Sequence, residues 1–337
     1  EAHAAVHALR QWPGIVLTRT ETRGRDIPPE PVEEDHLMAV LRTPESRFAN
    51  LPDYPFAPHY LDLAEAIGRS GEARMHYVDE GSGEVILCLH GEPSWSFLYR
   101  RMIPILAKRG RVLAPDLFGF GKSDKFTERA DYSYRMHRDA VLGFMNALEL
   151  RDITLVCQDW GGLIGLQLAG QHPERFARLV IMNTALPTGD EEVGPGFMAW
   201  REYVANTPDL PIGALFARAI FPEDRRTPEI LAAYDAPYPD RSYKEGAQAF
   251  PSLVPTTPDD PGAAQNRDAW KTLEHWSKPC LVMAGDKDPV LGIPAGRIFE
   301  RRIPTAGTMV VIENAGHFLQ EDKGEEIAER IVAWLGG

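Results

Sequence analysis

Apolar positions along the chain fall into two alternating patterns. Short, nearly continuous apolar runs predict strands over 74–80, 85–90, 111–116, 153–158, 178–183, 279–285 and 308–313. Val85-Ile86-Leu87-Cys88-Leu89 and Ile153-Thr154-Leu155-Val156-Cys157 lack the polar alternation of a half-exposed strand, which suits a parallel sheet covered on both faces. Between the runs, apolar residues recur at helical spacing: Val141, Phe144, Met145 and Leu148 share one stripe, and Ile327, Ile331, Trp334 and Leu335 another. The alternation predicts an α/β architecture, a mostly parallel sheet flanked by helices.

From about 187 to 268 the pattern changes to proline-rich and aromatic-rich segments with helical stretches and no clear strand. Over eighty structureless residues inside a compact domain would be exceptional, so this segment predicts an inserted helical cap. The expected organisation is an N-terminal extension over 1–37, the first part of the core over 38–186, the cap over 187–268 and the rest of the core over 269–337.

At 337 residues and 44% apolar content, the chain can bury one large core and carry an extra lobe. Its charge of -13, from 49 acidic against 36 basic residues, repels phosphate backbones and anionic lipid, which argues against nucleic-acid and membrane partners. Cys88, Cys157 and Cys280 each sit in an apolar run without metal or disulfide spacing, and read as buried thiols in a reducing compartment. No apolar run reaches the roughly 20 residues of a membrane span, and residues 1–37 hold no signal-type apolar core. A cytoplasmic protein whose natural start is Met38 is the expectation. His3 and His7 stand one helical turn apart but lack a third ligand, so no metal is expected there.

The strongest chemical signal is Cys157-Gln158-Asp159-Trp160-Gly161-Gly162, where an apolar strand ends and small residues open a helix. This has the form of a nucleophile elbow with aspartate in the serine position, on a strained turn that exposes the side chain at the C-terminal edge of the sheet. Cys157 stands where glycine is commonest, so the turn must tolerate a larger side chain. The same residue could instead be an ordinary helix N-cap. A later acid and then a histidine, each after a strand, weigh against that: Asp288 follows one apolar run and His317 the next. Asp286 is the alternative acid. His90-Gly91-Glu92-Pro93-Ser94-Trp95 ends another buried strand where an oxyanion loop belongs, with the backbone N–H groups of Glu92 and Trp160 as donors. Gly121-Lys122-Ser123 suggests a phosphate loop, but Asp116 occupies the required first glycine.

With these segments in hand, residues 40–335 resemble the haloalkane dehalogenases, members of the α/β-hydrolase superfamily. Leu41-Arg42-Thr43-Pro44, with Arg47-Phe48, and Asp53-Tyr54-Pro55-Phe56 point to the branch with two halide-binding tryptophans and a catalytic acid after a late strand. The resemblance implies Asp159 as nucleophile, His317 as base and Asp288 as acid. It further implies Trp160 and Trp200 as halide donors, with Phe197, Leu163, Phe250, Pro251 and Val254 in the substrate pocket. No cofactor is implied; the partners are a small haloalkane, water and the halide product. A carboxylate suits displacement at a saturated carbon because it is ionised near neutral pH.

An epoxide hydrolase would share Asp159 and His317 but need cap tyrosines, for which Tyr203, Tyr234, Tyr238 and Tyr243 are candidates. A fluoroacetate-type enzyme would need arginines gripping a carboxylate, and Arg201 and Arg218 are available. A noncatalytic binding module is the third alternative, since fold alone does not establish catalysis.

Overall fold

The computed structural model describes residues 39–336; His3, His7 and Met38 lie outside the described residues. An eight-stranded sheet runs through the molecule. In chain order its strands are β2 (His59–Asp62), β3 (Arg74–Gly81), β4 (Val85–Leu89), β5 (Arg111–Pro115), β7 (Ile153–Gln158), β8 (Phe176–Met182), β9 (Cys280–Gly285) and β10 (Val310–Ile312). Their spatial order is β10-β9-β8-β7-β4-β5-β3-β2. All neighbours from β10 through β5 pair parallel, whereas β3 pairs antiparallel with β5 and β2. Every residue of β7 is buried, as its unbroken apolar run predicts.

The edge strand β2 and a short antiparallel pair, β1 (Val40–Leu41) with β6 (Lys125–Phe126), are additions to the strands expected from pattern. His-Tyr-Leu-Asp in β2 is half-exposed and mixed in polarity, so it carries no apolar signature.

The helix α1 (Ile103–Leu106) is short; α2 (Tyr134–Ala147) buries Val141, Phe144 and Met145 of the expected stripe, capped by Ser133 Oγ accepting the Met136 N–H. After β7, α3 (Trp160–Gln171) is buried along nearly its whole length. Helices α4 (Pro195–Asn206), α5 (Ile212–Ala219), α6 (Pro228–Asp235) and α7 (Glu245–Leu253) follow β8, and no described residue between β8 and β9 forms a strand. Helix α8 (Ala263–Leu273) runs through the boundary expected at 268. It packs on α3 so closely that a Cβ at Gly170 would lie 2.5 Å from Ala269 Cα. Trp270 Nε1 also donates to the Leu186 carbonyl at 2.8 Å. The chain therefore packs against the core before the strand pattern resumes. Helices α9 (Ile293–Arg302) and α10 (Leu319–Gly336) complete the layers, with Ile327, Ile331 and Leu335 buried.

Cys88, Cys157 and Cys280 are all buried and unpaired. Among the described residues, no helix is long and apolar enough to cross a membrane.

Candidate active site

Parallel strands place their C-terminal ends on one edge, and the loops leaving β4, β7, β8, β9 and β10 meet there. Asp159 follows β7 directly, with φ 50° and ψ -125°. That left-handed backbone costs energy for an aspartate, and neighbouring glycines accommodate it. A Cβ at Gly161 would lie 2.0 Å from the Leu89 carbonyl oxygen, and one at Gly91 would lie 2.3 Å from both Asp159 Cβ and Oδ1. Cys157 does not crowd the turn, because its thiol points away to the Val180 carbonyl at 3.6 Å.

Asp159 stands at the N-cap position of α3 but its side chain makes no capping bond to the second or third helical N–H, so capping does not account for it. Its Oδ1 instead accepts the Glu92 N–H at 2.8 Å, and the Trp160 N–H also bonds the carboxylate. Burial raises the Asp159 carboxyl above the usual range, more than His317 and these two N–H groups lower it. The loop carrying Glu92 is pinned on both sides: the Leu117 N–H donates to His90 Nε2 at 2.9 Å, so His90 Nδ1 donates to the Gly91 carbonyl, also at 2.9 Å.

His317 Nδ1 lies 2.9 Å from Asp288 Oδ2, while Nε2 lies 3.7 Å from Asp159 Oδ2. The first is a hydrogen bond; the second is too long for one. Asp288 is fixed in turn by the Val290 and Leu291 N–H groups on Oδ1, at 2.8 and 3.1 Å. Burial alone would lower the pKa of His317, but Asp288, with Asp159 and Asp322 behind it, outweighs burial and raises the imidazole to about 9. Burial likewise opposes ionisation of Asp288, yet the His317 partner and the backbone donors bring its carboxyl below the usual value. Asp286, the alternative acid, turns away: Lys287 Nζ is 2.8 Å from its Oδ2.

A cavity of about 710 Å³ opens over Asp159 and His317, lined among others by Trp160, Leu163, Phe197, Trp200, Pro251 and Val254. Phe250 departs from the expectation. It does not line the cavity but stands behind it, edge-on to Trp160 at 4.6 Å and to Phe120 at 4.8 Å. Its fully buried ring fills the space beneath the indole. Trp160 is also braced edge-on by Tyr134 at 5.2 Å, and Trp200 stacks on Tyr203 at 5.8 Å. None of Tyr203, Tyr234, Tyr238 and Tyr243 lines the cavity; Tyr234 donates to Glu321 instead, at 2.7 Å. Arg218 lines it, whereas Arg201 reaches Thr256 at 3.2 Å. The Gly121 turn closes on Asp116, whose Oδ2 accepts the Lys122 N–H at 2.8 Å.

Three supporting residues escape a reading by sequence. Asn183 leaves β8 with φ 32°. Its carbonyl accepts the Asp159 N–H at 3.0 Å, its amide N–H donates to the Gly316 carbonyl at 2.9 Å, and its Oδ1 accepts the Gly285 N–H at 2.9 Å. Gln158 Nε2 donates to the His317 carbonyl at 3.2 Å. Asp322, inside α10, accepts the Gly316 N–H at 2.6 Å and the Phe221 N–H at 2.9 Å, joining the His317 loop to the segment after α5. A polar residue at a strand end was the available signal for Asn183; nothing local distinguishes Asp322 from a solvated helix residue.

The family model of the alpha/beta hydrolase fold matches residues 84–324. A haloalkane dehalogenase of Psychrobacter cryohalolentis is 48% identical, covering 88% of this chain and 98% of its own. One from Mycobacterium marinum is 50% identical, covering 88% and 100%. The solved tetrameric haloalkane dehalogenase DpaA of Paraglaciecola agarilytica superposes with a TM-score of 0.82 at 40% identity, covering 87% of this chain and 97% of that one. The α/β-hydrolase fold, the intact acid–histidine–acid geometry and these likenesses lead to one conclusion: the chain belongs to the haloalkane dehalogenases, hydrolases that split carbon–halide bonds with water.

Proposed function

We propose that Asp159 Oδ2 attacks the halogen-bearing carbon of a haloalkane in the cavity, forming an alkyl ester as the carbon–halogen electron pair leaves on the halide. The observation that carries this reading is the asymmetric setting of the carboxylate: Oδ1 is held by the Glu92 N–H, and Oδ2 faces His317. Oδ1 becomes the ester carbonyl oxygen, and the two N–H groups then stabilise its charge when water attacks. The indole groups of Trp160 and Trp200 supply N–H donors to the halide within an apolar wall.

His317 Nε2 takes the proton of the attacking water, and the resulting imidazolium, stabilised by Asp288, returns it to the departing alkoxide. Alkylation removes the Asp159 charge that helps hold His317 protonated. The imidazole's pKa then falls, so more of it is neutral and free to take a proton at the stage when the ester needs a base. The segment 187–268 is read as the cap that closes this cavity and sets which haloalkanes enter. Three buried thiols support a reducing, cytoplasmic setting.

Oxygen labelling tests the two-step route. In a single turnover of 1-bromobutane in ¹⁸O-water, the alcohol carries unlabelled oxygen and the label enters Asp159, because water attacks the aspartyl carbon. Labelled alcohol from that first turnover would mean direct displacement by water.

A further inference from the structure

Glu92 poses a chemical problem. Its side chain lines the catalytic cavity and is only 6% exposed, in a place where a halide must accumulate negative charge beside the Asp159 carboxylate. An ionised Glu92 would be a further anion in the same buried space, opposing both nucleophile and leaving group. The ionisable groups that act on it among the described residues offer no compensating cation: Asp159 faces it from the elbow and Tyr238 from the segment after α6.

Its hydrogen bonding adds a second observation. The Trp200 side chain, whose one donor is the indole N–H, bonds the Glu92 carboxyl. Glu92 Oε1 has no hydrogen-bond partner although it is buried. Burial, and then the neighbouring Asp159 charge, push the carboxyl well above the ordinary carboxylate range, further than the indole lowers it.

We propose that Glu92 works as a neutral carboxylic acid, seating the Trp200 indole at the cavity wall and turning its own O–H toward the halide as a third donor. This rests on Trp160 and Trp200 being the halide donors. A neutral carboxyl can accept from Trp200 through its carbonyl oxygen and donate through its hydroxyl, which a carboxylate cannot do. When halide forms and draws the Trp200 N–H away, the acid loses one acceptor contact without leaving an uncompensated charge. Glu92 thus has two separable parts: the backbone N–H serves the Asp159 oxygen, and the side chain serves the leaving group.

Bromide titration by quenching of intrinsic tryptophan fluorescence separates the alternatives, using the parent, Glu92→Gln, Glu92→Leu and Trp200→Phe, each checked for folding by circular dichroism. The amide of Glu92→Gln is a neutral acceptor and donor of the same shape, so its bromide Kd stays within about threefold of the parent, while Glu92→Leu weakens bromide at least about tenfold. A Glu92→Gln protein that binds bromide tenfold more tightly than the parent would show that Glu92 is ionised, and overturn the proposal. Parent-like affinity in Glu92→Leu would also overturn it, by removing the donor role. Should Glu92→Leu fail to fold, Glu92→Gln alone still decides the charge state. Parent-like affinity in Trp200→Phe would instead discard the tryptophan reading beneath the proposal, which the Glu92 variants do not test.

Discussion

Asn183 donates its side-chain amide to the carbonyl of Gly316, 2.9 Å away and directly before His317 in sequence. The same side chain accepts the Gly285 N–H, and the same residue's carbonyl accepts the Asp159 N–H. One buried residue therefore ties together the loops after β7, β8, β9 and β10. Asn183→Ala leaves the Gly285 N–H and one Gly316 acceptor site unpaired, at a cost on the order of 1–3 kcal/mol for each orphaned group. Urea unfolding measures that loss. Because the His317 loop is released toward Asp159, kcat falls more than KM changes.

A second prediction concerns close approach. Gly91 packs against Asp159, with no room for a Cβ. Gly91→Ala pushes either the Glu92 loop or the Asp159 side chain out of register. A displacement of about 1 Å costs on the order of a hundredfold in rate, so pre-steady-state bromide release slows by about that factor. A parent-like burst would show that the loop yields without moving its N–H donor from Oδ1.

Electrostatic coupling in the triad gives a third. Burial lowers the pKa of His317, and the carboxylates of Asp288, Asp159 and Asp322 raise it beyond that, to about 9. Replacing one anion in Asp159→Asn removes part of the raising influence, so the imidazole titrates at lower pH than in the parent, as followed by ¹⁵N chemical shifts. The sign for stability follows from the same shift. A histidine raised from 6.5 to about 9 on folding contributes stability that is complete below pH 6.5 and is lost as pH rises through 9. Thermal melting of the parent across that window therefore declines more steeply than that of Asp159→Asn. Equal titration points in the two proteins would mean that Asp159 does not act on His317.

Much of this was legible in the residues because strand ends announce themselves. Unbroken apolar runs locate β4, β7, β8, β9 and β10 within a residue or two, and the polar residues just beyond them are Glu92, Asp159, Asn183, Asp288 and His317. The preference for Asp288 over Asp286 rests on loop position and the resemblance; a two-residue spacing in a loop does not by itself give the direction of each side chain. Phe250 was misplaced for a similar reason: an aromatic in an apolar segment can face a cavity or back the ring that does. The contacts of Asp322 with Gly316 and Phe221 span 6 and 101 positions. Its long-range partner is fixed only by the packing of α10 against the segment after α5.

The most direct test of the account removes the base and keeps the nucleophile. His317→Gln mixed with 1-bromobutane should release about one equivalent of bromide and stop, its intact mass raised by one butyl group and the modified peptide mapping to Asp159. Continued turnover, or an unmodified Asp159 after bromide release, would contradict the division of labour between Asp159 and His317.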